Sequence, residues 1–356
     1  MTNEDKPVSQ FDEKTRRFCR GRGCGYELRG LELARCPECG RPFDPDDSRT
    51  FRSRPIGYWH RYVKCAVIGS VTLLLVLAAG WGWFYYGWYA EQQSLRDLAV
   101  SPNNSNCIRY RSLLWPGMGR ISFIFDRVVS VRLMGRLDLK DITPIGRLAN
   151  LESLELDRTS VSDLTPLSAL VCLKHLELND ALITDLTPLA GLQHLQHLEV
   201  SGTPVTDLTA LAGLKELHTL DLHHTSVKGV APLARLENLQ SLDLSDTAVK
   251  DLAPLADLTQ LQSLRLSNTP LTELTPLRRL DRLQSLTLSH TSVTKLATLG
   301  ELTQLETLCL DHTPATDFAP VERLHSLHLL TLPSATTEAQ AKALQIALPT
   351  CTIRPW

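Results

Sequence analysis

Four of the nine cysteines crowd between Cys19 and Cys39. Cys19 with Cys24, and Cys36 with Cys39, make two short-spaced pairs, and each pair can supply two thiolates to one tetrahedral Zn²⁺. Four protein ligands leave no open coordination position, so such a site is structural and not catalytic. A head of this length cannot bury a core of its own, and metal binding would supply its folding energy. Gly23, Gly25 and Gly40 beside the sulfurs suit the tight turns of a metal knuckle. Reactive redox thiols, or cysteines in an unstructured tail, remain as other readings of the same residues.

A second constellation is spread along the chain. Glu155, Glu177, Glu199, Asp221 and Asp243 recur in one frame, followed by Arg265, Thr287 and Cys309. Placed on successive strands, the five carboxylates would form an acidic ladder over about 19 Å. Neighbouring like charges at that spacing cost about 1 kcal/mol even in water. The ladder is therefore either a strip for a basic protein partner or a solvated face softened by Arg158, His175 and His197. His175, His197, Glu177 and Glu199 would also form a two-by-two patch, whose donor types suit a divalent metal. That patch carries the alternative of a metal-dependent enzyme. Against it, histidine is frequent through this half of the chain, including His194, His224, His290, His312 and His325. The sequence holds no phosphate-cradling glycine loop, nucleophile elbow or kinase signature. The expectation is a protein without catalytic residues, and a structural cell-envelope spacer is the other nonenzymatic possibility. A formal charge of −2 and a pI near 6.6 give no global basic field, so no nucleic-acid partner is expected.

The elements that would position the ladder come from a leucine period. Leucine returns every 22 residues from Leu151 through Leu173, Leu195 and onward to Leu327. In the unit LHTLDLHHTSVKGVAPLARLEN, Leu220 and Leu222 face inward on a short strand while Thr219, Asp221 and His223 face the other way. The Thr that follows, at Thr225, Thr247, Thr269 and Thr291, can satisfy backbone groups at the turn after the strand. In D-L-T-P-L, at Asp163–Leu167 and Asp185–Leu189, Thr reads as an N-cap with Pro in the first helical position of a short convex turn. A first, irregular unit begins near Val128, preceded by a cap from Ser101 to Arg127. The segment Thr336–Leu348 reads as a closing helix with Thr337 near its start. Cys107 and Cys351 flank the repeats at opposite ends, too far apart to form a disulfide.

The frame L-x-x-L-x-L-x-x-T-x-V-x-D-L-x-P-L-x-x-L, as in LESLELDRTSVSDLTPLSAL from Leu151, resembles the bacterial internalin-like class of 22-residue leucine-rich repeats. The resemblance implies an α/β repeat fold, a right-handed solenoid with a concave parallel sheet and short helical or 3₁₀ convex turns. It also implies that the concave sheet binds other macromolecules. No binding residue carries over, because exposed strand positions are the variable part of that class. The segment CRGRGCGYELRGLELARCPECG is similar to the small zinc-ribbon heads of bacterial membrane proteins, although its first pair is spaced C-x4-C.

From Cys65 to Tyr89 no residue is charged, and about 25 helical residues reach roughly 37 Å, enough to cross a bilayer core of about 30 Å. Trp81, Trp83, Tyr85, Tyr86, Trp88 and Tyr89 crowd one end as an interfacial aromatic belt. Arg49, Arg52, Arg54, Arg61 and Lys64 precede the run and Glu91 follows it. That asymmetry places the N-terminus in the cytoplasm and exports the repeats from a single-pass inner or plasma membrane protein anchored in the bilayer. The organisation expected is a flexible N-terminus (1–15), a zinc ribbon (16–44), a basic juxtamembrane linker (45–64), a transmembrane helix (65–89), a linker and N-terminal cap (90–127), the repeats (128–327) and a C-terminal cap (328–356).

Overall fold

The structure, a computed structural model, describes residues 18–20, 26–27, 35–42, 44, 47, 49–52, 82, 85–98, 107–112 and 126–354. The chain divides into two compact units, Met1–Phe84 and Tyr85–Trp356. In the first, β1 (Phe18–Cys19) pairs antiparallel with β2 (Phe51–Arg52). Most of the apolar run falls outside the described residues, as does Cys24. Among the described residues, no helix is long and apolar enough to cross a membrane.

The second unit is a stack of coils. After helix α1 (85–97), strand β3 (Ile108–Ser112) pairs antiparallel with β4 (Asp126–Arg132). From β4 every step is parallel, through β5 (Ser153–Glu155), β6 (His175–Glu177), β7 (His197–Glu199), β8 (Thr219–Asp221), β9 (Ser241–Asp243) and β10 (Ser263–Arg265). The sheet continues through β11 (Ser285–Thr287), β12 (Thr307–Cys309) and β13 (Leu329–Thr331) to β14 (Thr352–Arg354), twelve strands in sequence order. Cys107 and Cys351 adjoin β3 and β14, the two outermost strands.

Each coil follows from its residues. The middle leucine of every strand faces the core, and Leu154, Leu176, Leu198, Leu220 and Leu242 register one above another. Leu217, Leu220, Leu222, Val227, Val230, Leu233 and Leu236 are all essentially inaccessible to water, so one coil buries an unbroken apolar set. Burying a side chain of this size contributes about 1.5–3 kcal/mol. No coil can achieve that alone, because its core is roofed by the coils on either side.

Two devices turn the chain after each strand. One residue per coil adopts a left-handed backbone, at Arg158, Asp180, His224, Asp246, Asn268, His290 and His312 with φ between 52° and 58°, and at Gly135 and Gly202. Its N–H donates to a carbonyl of the next coil, as from Arg158 to Asn179 (2.7 Å) and from His224 to Ser245 (2.9 Å). One residue later in most coils, a threonine hydroxyl closes the turn. Thr225 Oγ1 donates to Leu222 O at 2.7 Å and Thr247 Oγ1 to Leu244 O at 2.6 Å, as the sequence leads one to expect.

The convex turns are 3₁₀, and here the expected cap is corrected. In Thr165–Ala169 the threonine is already the first helical residue and makes no side-chain cap; Pro166 is the second. The capping group is the aspartate two positions earlier: Asp163 Oδ1 accepts from Thr165 N–H at 2.8 Å, and Asp141, Asp185 and Asp207 repeat the bond. The tight turn leaves the aspartate, and not the threonine, within reach of the exposed N–H.

Both ends are capped. Helix α2 (Glu338–Ala347) starts at Thr337 with a capping box to Gln340 and buries Leu344. At the other end the described part of α1 overlaps the sequence interval assigned to the span and continues through Asp97. Its Glu91, Ser94 and Leu95, with Leu98 just beyond, are buried against the first coil. The cap therefore begins well before Ser101. The sequence hides this because residues 85–90 belong to a continuous apolar and aromatic run.

Candidate concave docking face

The acidic column is aligned by the strand register. Glu155 lies opposite Glu177, Glu177 opposite Glu199, Glu199 opposite Asp221 and Asp221 opposite Asp243. Each sits at the last position of a three-residue strand whose middle leucine is buried, so the alternation of the strand forces the carboxylate to the other face. All five are half-buried, because neighbouring coils crowd the concave side.

Arginines bracket the column. Arg132 Nε reaches Glu155 Oε1 at 2.6 Å, and Arg265 Nη1 reaches Asp243 Oδ2 at 3.4 Å. Arg158, expected to soften the ladder, instead pairs with Asp180 at 3.6 Å. Its left-handed backbone carries its side chain out of the strand row. The central three carboxylates make no ion pair with lysine or arginine among the described residues. Glu199 Oε2 accepts from the Asn179 amide at 2.8 Å, and Asp221 Oδ1 from the His223 N–H at 2.8 Å.

Electrostatics follow from this crowding. Burial first, then the charges of Glu155, Glu199 and Asp157, push the Glu177 carboxyl up to about 7. Asp221 is raised by burial and then by Asp243 and Glu199, against the lowering bond from His223. Asp157, one row outward, is raised by burial in spite of the Asn179 N–H that donates to it. Of these groups Glu177 is the one brought close to neutrality.

The histidine patch has a different geometry from a metal site. The rings of His175 and His197 stack at 4.4 Å, 10° from parallel, and burial and then the facing His175 lower the pKa of His197. Among the described residues, no group of three or more His, Cys, Asp or Glu could hold a metal ion.

Residues 237–279 match the family model for leucine-rich repeats in two copies. The solenoid is built of leucine-rich repeats. Internalin C2 from Listeria monocytogenes is 30% identical over 60% of this chain and 86% of that one, with a TM-score of 0.48. The leucine-rich-repeat ectodomain of the membrane receptor kinase GASSHO1/SCHENGEN3 from Arabidopsis thaliana, in complex with CASPARIAN STRIP INTEGRITY FACTOR 2, is 23% identical, covering 66% of this chain and 30% of that one with a TM-score of 0.51. A TDR receptor is 20% identical, covering 64% and 42% with a TM-score of 0.55. The two receptors share the fold with this chain. No curated protein matches the sequence.

Outside the leucine-rich repeats, the described part of the cysteine head forms a tight turn. Cys36 N–H donates to Arg41 O at 3.0 Å, Gly40 N–H donates back to Cys36 O at 2.8 Å, and Gly40 takes φ +67°. Arg35 and Pro42 bridge the two arms. Cys36 is buried and Cys39 exposed on this turn, and Cys19 ends β1 opposite Phe51. Cys36 and Cys39 thus lie on one glycine-closed turn.

Sequence reasoning missed Arg132 as a partner of the ladder, because the first coil is one residue longer than the rest. Asp157 also escaped it. The signal that could have found Arg132 is the strand register, which sets it opposite Glu155.

Proposed function

We propose that the protein is a membrane-tethered recognition module whose concave leucine-rich-repeat face binds a basic surface of a protein partner. The observation that carries this reading is the aligned column Glu155, Glu177, Glu199, Asp221 and Asp243, bracketed by Arg132 and Arg265 and with no lysine or arginine ion pair at its centre among the described residues. A lysine or arginine delivered there would offset the neighbouring carboxylates that, after burial, raise Glu177. The Arabidopsis ectodomain of the same fold was solved with a bound factor. The uncharged run Cys65–Tyr89 supplies the tether, and the arginines before it keep the N-terminus cytoplasmic. One structural Zn²⁺ held by Cys19, Cys24, Cys36 and Cys39 folds the head.

The test is a triple variant, Glu177→Gln, Glu199→Gln and Asp221→Asn, compared with Glu237→Gln away from the sheet. The inward leucines are untouched, so folding persists. A partner captured by the wild-type protein should lose affinity for the triple variant, and binding to the wild type should weaken as salt rises, through a slower association rate. Equal binding by the triple variant would refute the concave site.

A further inference from the structure

The first unit's apolar run and the solenoid meet without a spacer in sequence. No Asp, Glu, Lys or Arg occurs from Cys65 to Ala90, and the next residue, Glu91, is already 4% exposed within the solenoid's cap. Glu91 Oε1 lies 3.7 Å from the buried Arg127 guanidinium, and Glu91 Oε2 accepts from Val128 N–H at 3.4 Å. Gly87, one turn earlier, passes so close to Arg127 that a Cβ there would stand 3.3 Å from Nη2. Gly87, Glu91, Ser94, Leu95 and Leu98 therefore form the docked face of α1.

At 100° per residue, Tyr85, Tyr86 and Tyr89 centre on the side of α1 opposite that face. They are 55%, 72% and 51% exposed. Three large exposed rings grouped on the part of α1 that adjoins, in sequence, an uncharged run of membrane-spanning length are costly in water. They suit one environment, the headgroup layer, where the ring is apolar and the hydroxyl stays wet. Tyr85 and Tyr89 lie about 6 Å apart along the axis, comparable to the depth of one interfacial layer, roughly 5–7 Å.

Resting on the membrane-tether reading above, we infer that the solenoid's N-terminal cap is seated on the bilayer, with Tyr85, Tyr86 and Tyr89 in the lipid headgroup layer. The leucine-rich repeats then do not hang from a flexible stalk. Their first coil is held at the lipid surface by the Glu91–Arg127 contact, and the acidic column begins one strand beyond it.

The experiment uses the full chain reconstituted in bilayers of phosphatidylethanolamine and phosphatidylglycerol. A photoreactive benzoylphenylalanine replaces Tyr86, Tyr89 or, as a comparison, the exposed Leu182, and lipid adducts are read by mass spectrometry after irradiation. The seat requires lipid adducts at Tyr86 and Tyr89 at least tenfold above those at Leu182, in protein that resists carbonate extraction. Retention in the membrane without adducts at either tyrosine overturns the seat and leaves the tether standing. Release by carbonate overturns the tether, and the seat with it.

Discussion

Arg132 reaches from β4 to β5 and holds its Nε 2.6 Å from Oε1 of Glu155. One end of the acidic column is thereby neutralised, while Glu177, one strand on, is left with carboxylates on both sides.

That arrangement gives stability a definite pH dependence. The Glu177 carboxyl is raised from its ordinary 4.5 to about 7, so the fold favours its neutral form. Its contribution is present in full below 4.5 and is lost as pH rises through 7. The convex aspartates work in the other direction. Asp141, Asp163, Asp185 and Asp207 are lowered from 3.8, chiefly by the bonds they accept from their threonines, so their contribution is present above 3.8 and lost as pH falls further. The unfolding midpoint should peak between about pH 4 and 5. Glu177→Gln should shallow the decline from there to pH 7 without changing the acid limb. An unchanged decline in that variant would show that the crowding at Glu177 is not felt in solution.

The left-handed column predicts opposite outcomes for two small substitutions. His224 carries φ +53°, a conformation that costs an L residue about 1–2 kcal/mol, so His224→Gly should raise stability by up to about 1 kcal/mol after the added chain entropy. Gly202 has φ +68°, and a Cβ there would collide with the Asp180 carboxylate. Gly202→Ala should lower stability by about 1–3 kcal/mol. Urea midpoints of the two variants measure both; equal shifts would mean the backbone at this column relaxes freely.

In the cysteine head, elemental analysis of the purified full chain should find one zinc per chain, and Cys36→Ser should remove it. Chain that takes up no zinc after reconstitution would leave the Cys36–Gly40 turn as a plain hairpin turn.

Topology is checked by labelling intact cells with a membrane-impermeant thiol reagent, in a background where native cysteines are replaced outside the head. A cysteine at Leu182 should react from outside and one at Ser53 should not. The reverse pattern would place the repeats in the cytoplasm.

The sequence made the coils legible because burial there is strictly periodic. Leu220 and Leu222 point inward as their spacing demands, Thr225 closes its turn, and the five acids fall in one register. What it concealed were effects of conformation and of irregular ends. Arg158, Asp180, His224 and Asn268 share a left-handed backbone although the column contains only one glycine in the regular coils, Gly202, so composition gave little warning. The docking of α1 depends on Gly87 and Glu91 meeting Arg127 across a gap of about forty residues in sequence, a contact no local pattern encodes.

The parallel register has a consequence for how such a chain can change. Leu176, Leu198 and Leu220 occupy interchangeable places, and the upper side of each coil already fits the lower side of any other. An in-frame duplication or loss of 22 codons between the caps would lengthen or shorten the molecule by one coil without creating an unsatisfied seam. Reach can thus be inherited independently of surface chemistry, with each new coil free to acquire its own outward residue.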